Sequence, residues 1–147
     1  MKFKNKQNFR KRQFGFTLLE LLVVIAIIGT LYSVVALSVQ SSRRKSRDAK
    51  RAADIKQLAS ALEAYFTTNN AYPVQAIPAV TIPGLNSQYI GQIPSAPLPA
   101  ENGCTEANNS YNYQSPDGLN YTISFCLGDK TGDYAPGTHY LTSHGVN

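Results

Sequence analysis

The stretch GFTLLELLVVIAIIGTLYSVVAL, residues 15–37, decides how the rest of the chain must be built. From Phe16 onward it is apolar apart from a few hydroxyls and one carboxylate, Glu20. About 20 apolar residues rising about 1.5 Å each cover about 30 Å of hydrocarbon, so the run can cross a bilayer as one helix. Glu20 falls in its first turns. An ionisable group there costs about 2.5–3.5 kcal/mol on insertion scales, which marks it as a functional residue in need of a partner. A cut between Gly15 and Phe16 supplies one, because the new α-amino group at Phe16 would stand one helical turn from Glu20 at i, i+4 spacing. The pair can close within one chain or between copies in a packed array. A charge that is costly in a lone helix becomes tolerable in company, so the pattern favours a self-assembling subunit over a solitary anchor.

Upstream, Lys2, Lys4, Lys6, Arg10, Lys11 and Arg12 make residues 1–15 a basic leader without an acid. A short basic leader ending in Gly15, then Phe16-Thr17-Leu18-Leu19-Glu20 and an apolar run, resembles the signal of type IV pilins and type II secretion pseudopilins. The motif match covers residues 15–31, and a looser similarity continues through a long helix to Asn70-Ala71-Tyr72-Pro73. The resemblance implies cleavage after Gly15 by a prepilin peptidase, N-methylation of Phe16, and a role for Glu20 in guiding filament assembly. It also implies further copies of this chain, other pilin-like subunits, membrane lipids and an inner-membrane assembly platform as partners. An ordinary secretory signal fits less well, since its core would be uncharged and Ala36-Leu37-Ser38 is a poor cleavage site.

The formal net charge of +5 over 147 residues misleads as a whole-chain number. Six of the fourteen basic residues lie in the leader, and the remainder carries eight basic against nine acidic residues. Beyond Lys56 the only Lys or Arg is Lys130, against six acids, so the C-terminal region has no nucleic-acid footprint of its own. Leader charge favours a cytoplasmic N-terminus, but Arg43, Arg44, Lys45, Arg47, Lys50 and Arg51 form an opposing cluster after the span. The resemblance and the cysteines break the tie toward a single pass of the bacterial inner membrane, N-terminus inside and C-terminal head outside. Cys104 and Cys126, an even pair on that exterior side, fit one disulfide; the alternative is two unpaired buried thiols. A bridge closing about 20 residues would stabilise the head by about 3 kcal/mol.

The chain therefore divides into a leader (1–15), a membrane and filament-core helix (16–38), an amphipathic continuation (39–68), and a loop-plus-sheet head (69–147). Between residues 16 and 66 there is no proline and Gly29 is the single glycine, which predicts one continuous helix. Many relatives carry a proline where this chain has Leu37, so no kink is expected there. Ile55, Leu58, Ala59, Leu62, Tyr65 and Phe66 form a helical stripe for burial, with Asp54, Lys56, Gln57, Ser60 and Glu63 on the remainder. The basic cluster reads as a solvated helix face, as a contact for anionic lipid headgroups, or as a contact for acidic neighbouring subunits. Residues 73–99 hold six prolines and read as an irregular, packed-down loop with one helical turn near residues 85–90. Strands are predicted at 110–114, 121–127 and 138–142, the first two joined by Ser115-Pro116-Asp117-Gly118. The fold class is α+β, a long N-terminal helix packed on a three-stranded antiparallel meander, as the resemblance also implies.

No nucleophile elbow, phosphate-binding glycine loop or metal-binding helix motif is present, so no catalytic residue is assigned and the chain reads as an enzyme's substrate. His139 and His144 read as surface or strand residues. Asp129 and Asp133, in a glycine-containing loop, could offer oxygens to calcium, as major pseudopilins often do nearby; the alternative is a polar strand connection with Lys130 between its acids. No metal ligand is assigned. Within the family, a small head with one bridge favours a type II secretion pseudopilin. A minor, competence-type pilin contacting DNA, and a monomeric single-span protein presenting a small binding domain, are the rivals.

Overall fold

A computed structural model describes residues 15–146; the leader reading, at residues 1–14, lies outside the described residues. The chain falls into two compact units, one ending at Ser38 and the other beginning at Val39. A single helix, α1 (Leu18–Asn69), contributes to both and runs without interruption through Leu37. It starts two residues later than the apolar pattern suggests, because Thr17 caps it. The Thr17 hydroxyl accepts the Glu20 N–H at 3.2 Å, and the Thr17 carbonyl accepts the Leu21 N–H at 3.2 Å. Thr17-x-x-Glu20 is the sequence signature of such a cap.

In the first unit, several hydroxyls of an otherwise apolar run serve the helix itself. Thr30 donates to the Ile27 carbonyl, and Ser33 donates to the Gly29 carbonyl. These hydroxyl protons need no water, which suits a helix surrounded by hydrocarbon, whereas the Tyr32 side chain stands exposed.

The second unit is a five-stranded antiparallel sheet in sequential order, with the later turns of α1 packed into its core. Its strands are β1 (Gln75–Ala79), β2 (Asn112–Ser115), β3 (Thr122–Leu127), β4 (Gly137–Thr142) and β5 (Gly145–Val146). The three expected strands are therefore the middle of a larger meander. β5 is a two-residue return paired with Leu141 and Thr142. β1 lies inside the proline-rich stretch read as irregular. It pairs with β2 only at Gln75 with Ser115 and Ala79 with Tyr113, with an irregularity between. Pro78 lacks a ladder donor, and an edge strand with a bulge is where a sheet tolerates that. Residues 73–99 are packed down in part: Ile82, Leu85 and Ile90 are buried, whereas Val74, Ile77 and Val80 stand exposed. The predicted helical turn corresponds to the Ile90 N–H donating to the Asn86 carbonyl at 3.1 Å.

The core joins Ile55, Leu58, Ala61 and Leu62 of α1 to Tyr113 of β2, Ile123, Phe125 and Leu127 of β3, and Leu141 of β4. The alternation read in 121–127 holds, with Tyr121, Ile123 and Phe125 buried and Thr122 and Ser124 half-buried. Cys126 departs from it, being buried in a disulfide to Cys104 with the Cα atoms 5.7 Å apart. α1 closes with Asn70 in the left-handed region (φ 55°), its N–H donating to the Phe66 carbonyl at 2.8 Å. Asparagine tolerates that cap conformation better than most residues. The chain then docks at once, through a 2.8 Å bond from the Tyr72 N–H to the Gly118 carbonyl. Gly118 has φ +73°, and a Cβ there would stand 3.1 Å from the Tyr72 carbonyl oxygen, so both conformation and space require glycine.

Candidate functional site

The N-terminal site is an open one. A Cβ on Gly15 would meet nothing within 4 Å, Phe16 is 78% exposed, and Glu20 is exposed on the first turn of α1. Residues 15–17 precede the helix, so the peptide between Gly15 and Phe16 lies outside the helical hydrogen-bond ladder. Beyond it, every Phe, Leu, Ile, Val and Tyr between residues 16 and 39 is exposed in the isolated chain. An 18-residue window of α1 reaches a mean hydropathy of 2.5 with none of its residues buried. An apolar surface of this extent marks a membrane or assembly contact.

A second constellation lies where α1 enters the head, and here the basic cluster departs from a solvated face. Arg51 is 0% and Asp48 1% exposed, and they pair at 2.7 Å. Arg51 also donates to the Pro97 carbonyl and to Asn109 Oδ1, both at 2.9 Å. Asp48 accepts the Gly128 N–H at 3.0 Å and the Asp129 N–H at 2.7 Å. The pair thereby ties α1 to the loop before β2 and to the loop after β3. One turn on, Asp54 is also buried rather than on the polar face, and accepts the Tyr111 hydroxyl at 2.9 Å. Burial first, and that hydrogen bond second, push the Tyr111 hydroxyl's pKa well upward. Arg47 forms a two-pronged salt bridge with Glu101, with Nε to Oε2 at 3.1 Å. Arg43, Arg44, Lys45 and Lys50 are unburied and make no salt bridge among the described residues.

Asp129 and Asp133 lie in the loop between β3 and β4. Asp129 accepts the Asn102 amide at 2.7 Å, Thr131 and Tyr134 form an isolated bridge, and Asp133 is exposed. Among the described residues no group of three or more His, Cys, Asp or Glu side chains could hold a metal ion. His139 lies in β4 with Nε2 2.7 Å from the Ala135 carbonyl oxygen, and His144 lies in the exposed turn to β5.

The sequence patterns place Thr17 in the N-terminal motif and Arg51 in the basic cluster, but not the capping role of the one or the burial of the other beside Asp48. Their signals were present. Asp48, Arg51, Ile55, Leu58 and Leu62 continue one stripe at spacings of three and four, and Thr17-x-x-Glu20 is a capping pattern.

An exposed apolar helix with a capped start, continued into a sheet-covered stripe, defines a pilin-like subunit. Comparison with known proteins agrees. The family model for the prokaryotic N-terminal methylation motif matches residues 10–36. The type II secretion system core protein G of Vibrio cholerae is 31% identical over 128 residues, covering 80% of this chain and 82% of that protein. The proteins of the same name from Escherichia coli K12 and Aeromonas hydrophila are 38% identical over 84 residues and 44% over 64. The chain belongs to the type II secretion system core protein G family, the pseudopilins. The match spans 45% of the Aeromonas protein and 40% of the Pectobacterium carotovorum protein, less than half of each. No solved structure matches the chain.

Proposed function

We propose that this chain is a structural subunit of a type II secretion pseudopilus, made as a prepilin and matured by cleavage between Gly15 and Phe16. The observation that carries the reading is the fully exposed apolar first half of α1, headed by Glu20. Such a surface needs hydrocarbon before assembly and the equivalent helices of other subunits afterward. In this reading residues 16–38 hold the precursor in the inner membrane as a single span, with the head outside. A prepilin peptidase removes the leader and methylates the Phe16 amine. The inner-membrane assembly platform then draws subunits out, and the Phe16 amine of one copy meets Glu20 of its own or a neighbouring chain. Further copies and other pilin-like subunits are the partners, and the chain performs no chemistry itself.

The decisive measurement is the intact mass of the chain recovered from native membranes, with fragmentation of its N-terminus. A chain beginning at Phe16 and carrying one extra methyl on its amine is expected. A chain retaining the basic leader, in cells with an active prepilin peptidase, would leave a membrane-anchored head and overturn the assembly reading.

A further inference from the structure

Where the basic cluster meets the loop after Pro99, the head has a cleft of about 430 Å³. Gln40, Arg43, Arg44 and Arg47 of α1 form one wall, and Pro99, Glu101 and Asn102 form the other. The arginines are not equivalent. Arg47 is committed to Glu101, and that two-pronged pair cancels the one carboxylate on the wall. Arg43 and Arg44 have no carboxylate partner among the described residues. Among the described residues Arg44 bonds only Asn102 Oδ1, at 3.5 Å, while the Asn102 amide donates at 2.7 Å to Asp129, which does not line the cleft. The cleft therefore offers two uncommitted guanidinium groups beside a neutral rim.

We propose that this cleft binds the phosphate of an anionic phospholipid headgroup through Arg43 and Arg44. Guanidinium forks match phosphate oxygens in pairs, and do so better than ammonium groups. The position along the chain selects the lipid. Arg43 follows Leu37 by six residues, so if residues 16–38 span the bilayer, as the proposed function holds, the cleft's arginines fall in the headgroup layer. A pseudopilin awaiting assembly would thereby be held at a fixed depth, and the lipid would leave when the subunit is drawn from the membrane.

The test uses the full chain in neutral detergent with equal phosphatidylglycerol and phosphatidylcholine, the retained lipids being counted by native mass spectrometry. Phosphatidylglycerol is expected to be favoured by about fivefold for each uncommitted arginine. Arg43→Gln/Arg44→Gln should lower that preference by about fivefold for each arginine removed, whereas Lys56→Gln, an exposed lysine outside the cleft, should leave it unchanged. Glu101→Gln should raise it, by releasing Arg47. Equal retention by the unaltered chain, or an unchanged preference in the double variant, overturns the proposal. Displacement of the lipid by equimolar inorganic phosphate would make the site one for soluble phosphate and also overturn it. So would a double variant that keeps the lipid preference but loses self-association, since the arginines would then serve a neighbouring copy's carboxylates. Flotation with phosphatidylcholine vesicles separates the two readings. A chain that fails to float loses the membrane span and this site together, and one that floats without preferring phosphatidylglycerol loses the site alone.

Discussion

Asp48 and Arg51 carry more of the head's organisation than their place in a basic cluster suggests. Each is fully desolvated, and between them they hold two loops through the Pro97 carbonyl and the Gly128 and Asp129 N–H groups. Removing one partner of such a pair leaves an uncompensated buried charge, which costs about 3–5 kcal/mol. Arg51→Ala and Asp48→Ala are each expected to lower head stability by that order. Denaturant unfolding of the full chain in detergent, followed through the tyrosine environment, would measure it. A loss below about 1 kcal/mol for either, the range of an exposed pair, would mean that the pair is solvated after all. Periodicity places both residues on the stripe but, because it ranks apolar faces, gives a charged pair there no weight. Arg51 sits four residues before Ile55 on the same stripe, but an arginine there reads as the stripe's end until the loops that cover it are known.

Among the elements, α1 and the β2–β3–β4 meander were legible because their signals are local: an unbroken apolar run, a helical stripe, alternation in β3, and a turn ending in Gly118. β1 and β5 were not. β1 contains Pro78 and has only two paired positions, so nothing in its five residues distinguishes it from loop until β2 is beside it. The disulfide spans 22 positions and fastens the loop before β2 to the centre of the sheet. Closing a loop of this length should contribute about 3 kcal/mol. The double substitution Cys104→Ala/Cys126→Ala should lower the unfolding midpoint accordingly, and an unchanged midpoint would count against it.

The tyrosine layer between α1 and the sheet makes a separate claim about pH. Burial first, then the hydrogen bond and negative charge of Glu63, push Tyr72 up to about 12 from the ordinary value of about 10. Burial likewise pushes Tyr113 up to about 12 and raises Tyr121. A folded-state pKa above the unfolded one means that the folded head holds these protons more tightly. Their contribution is complete below pH about 10 and falls as pH rises toward about 12. The head should therefore unfold in that window, with phenolate absorbance appearing together with loss of the sheet signal. Gradual ionisation near pH 10 with the fold intact would contradict the buried layer.

At the scale of the molecule, the apolar and acidic parts of α1's first turns make opposite demands, and the proposed assembly would meet both. The apolar side chains from Phe16 to Val39 can be covered by lipid alone, so insertion requires nothing of Glu20. Glu20 needs a positive partner only where hydrocarbon or neighbouring helices exclude water. Thr17, not the Glu20 carboxylate, supplies the hydroxyl that caps the helix, so α1 should form without that acid. Glu20→Ala is therefore expected to insert, to be cut after Gly15 and to keep a folded head, yet to give few filaments. Glu20→Asp, with its charge drawn back by one methylene, should give an intermediate number. The comparison requires membrane fractionation, N-terminal mass and filament counts on the same cells. Normal filament numbers in the alanine variant would show that helix packing alone drives assembly and that the acid serves another purpose. Loss of cleavage or insertion in that variant would place its role before assembly and equally remove the charge-pairing account.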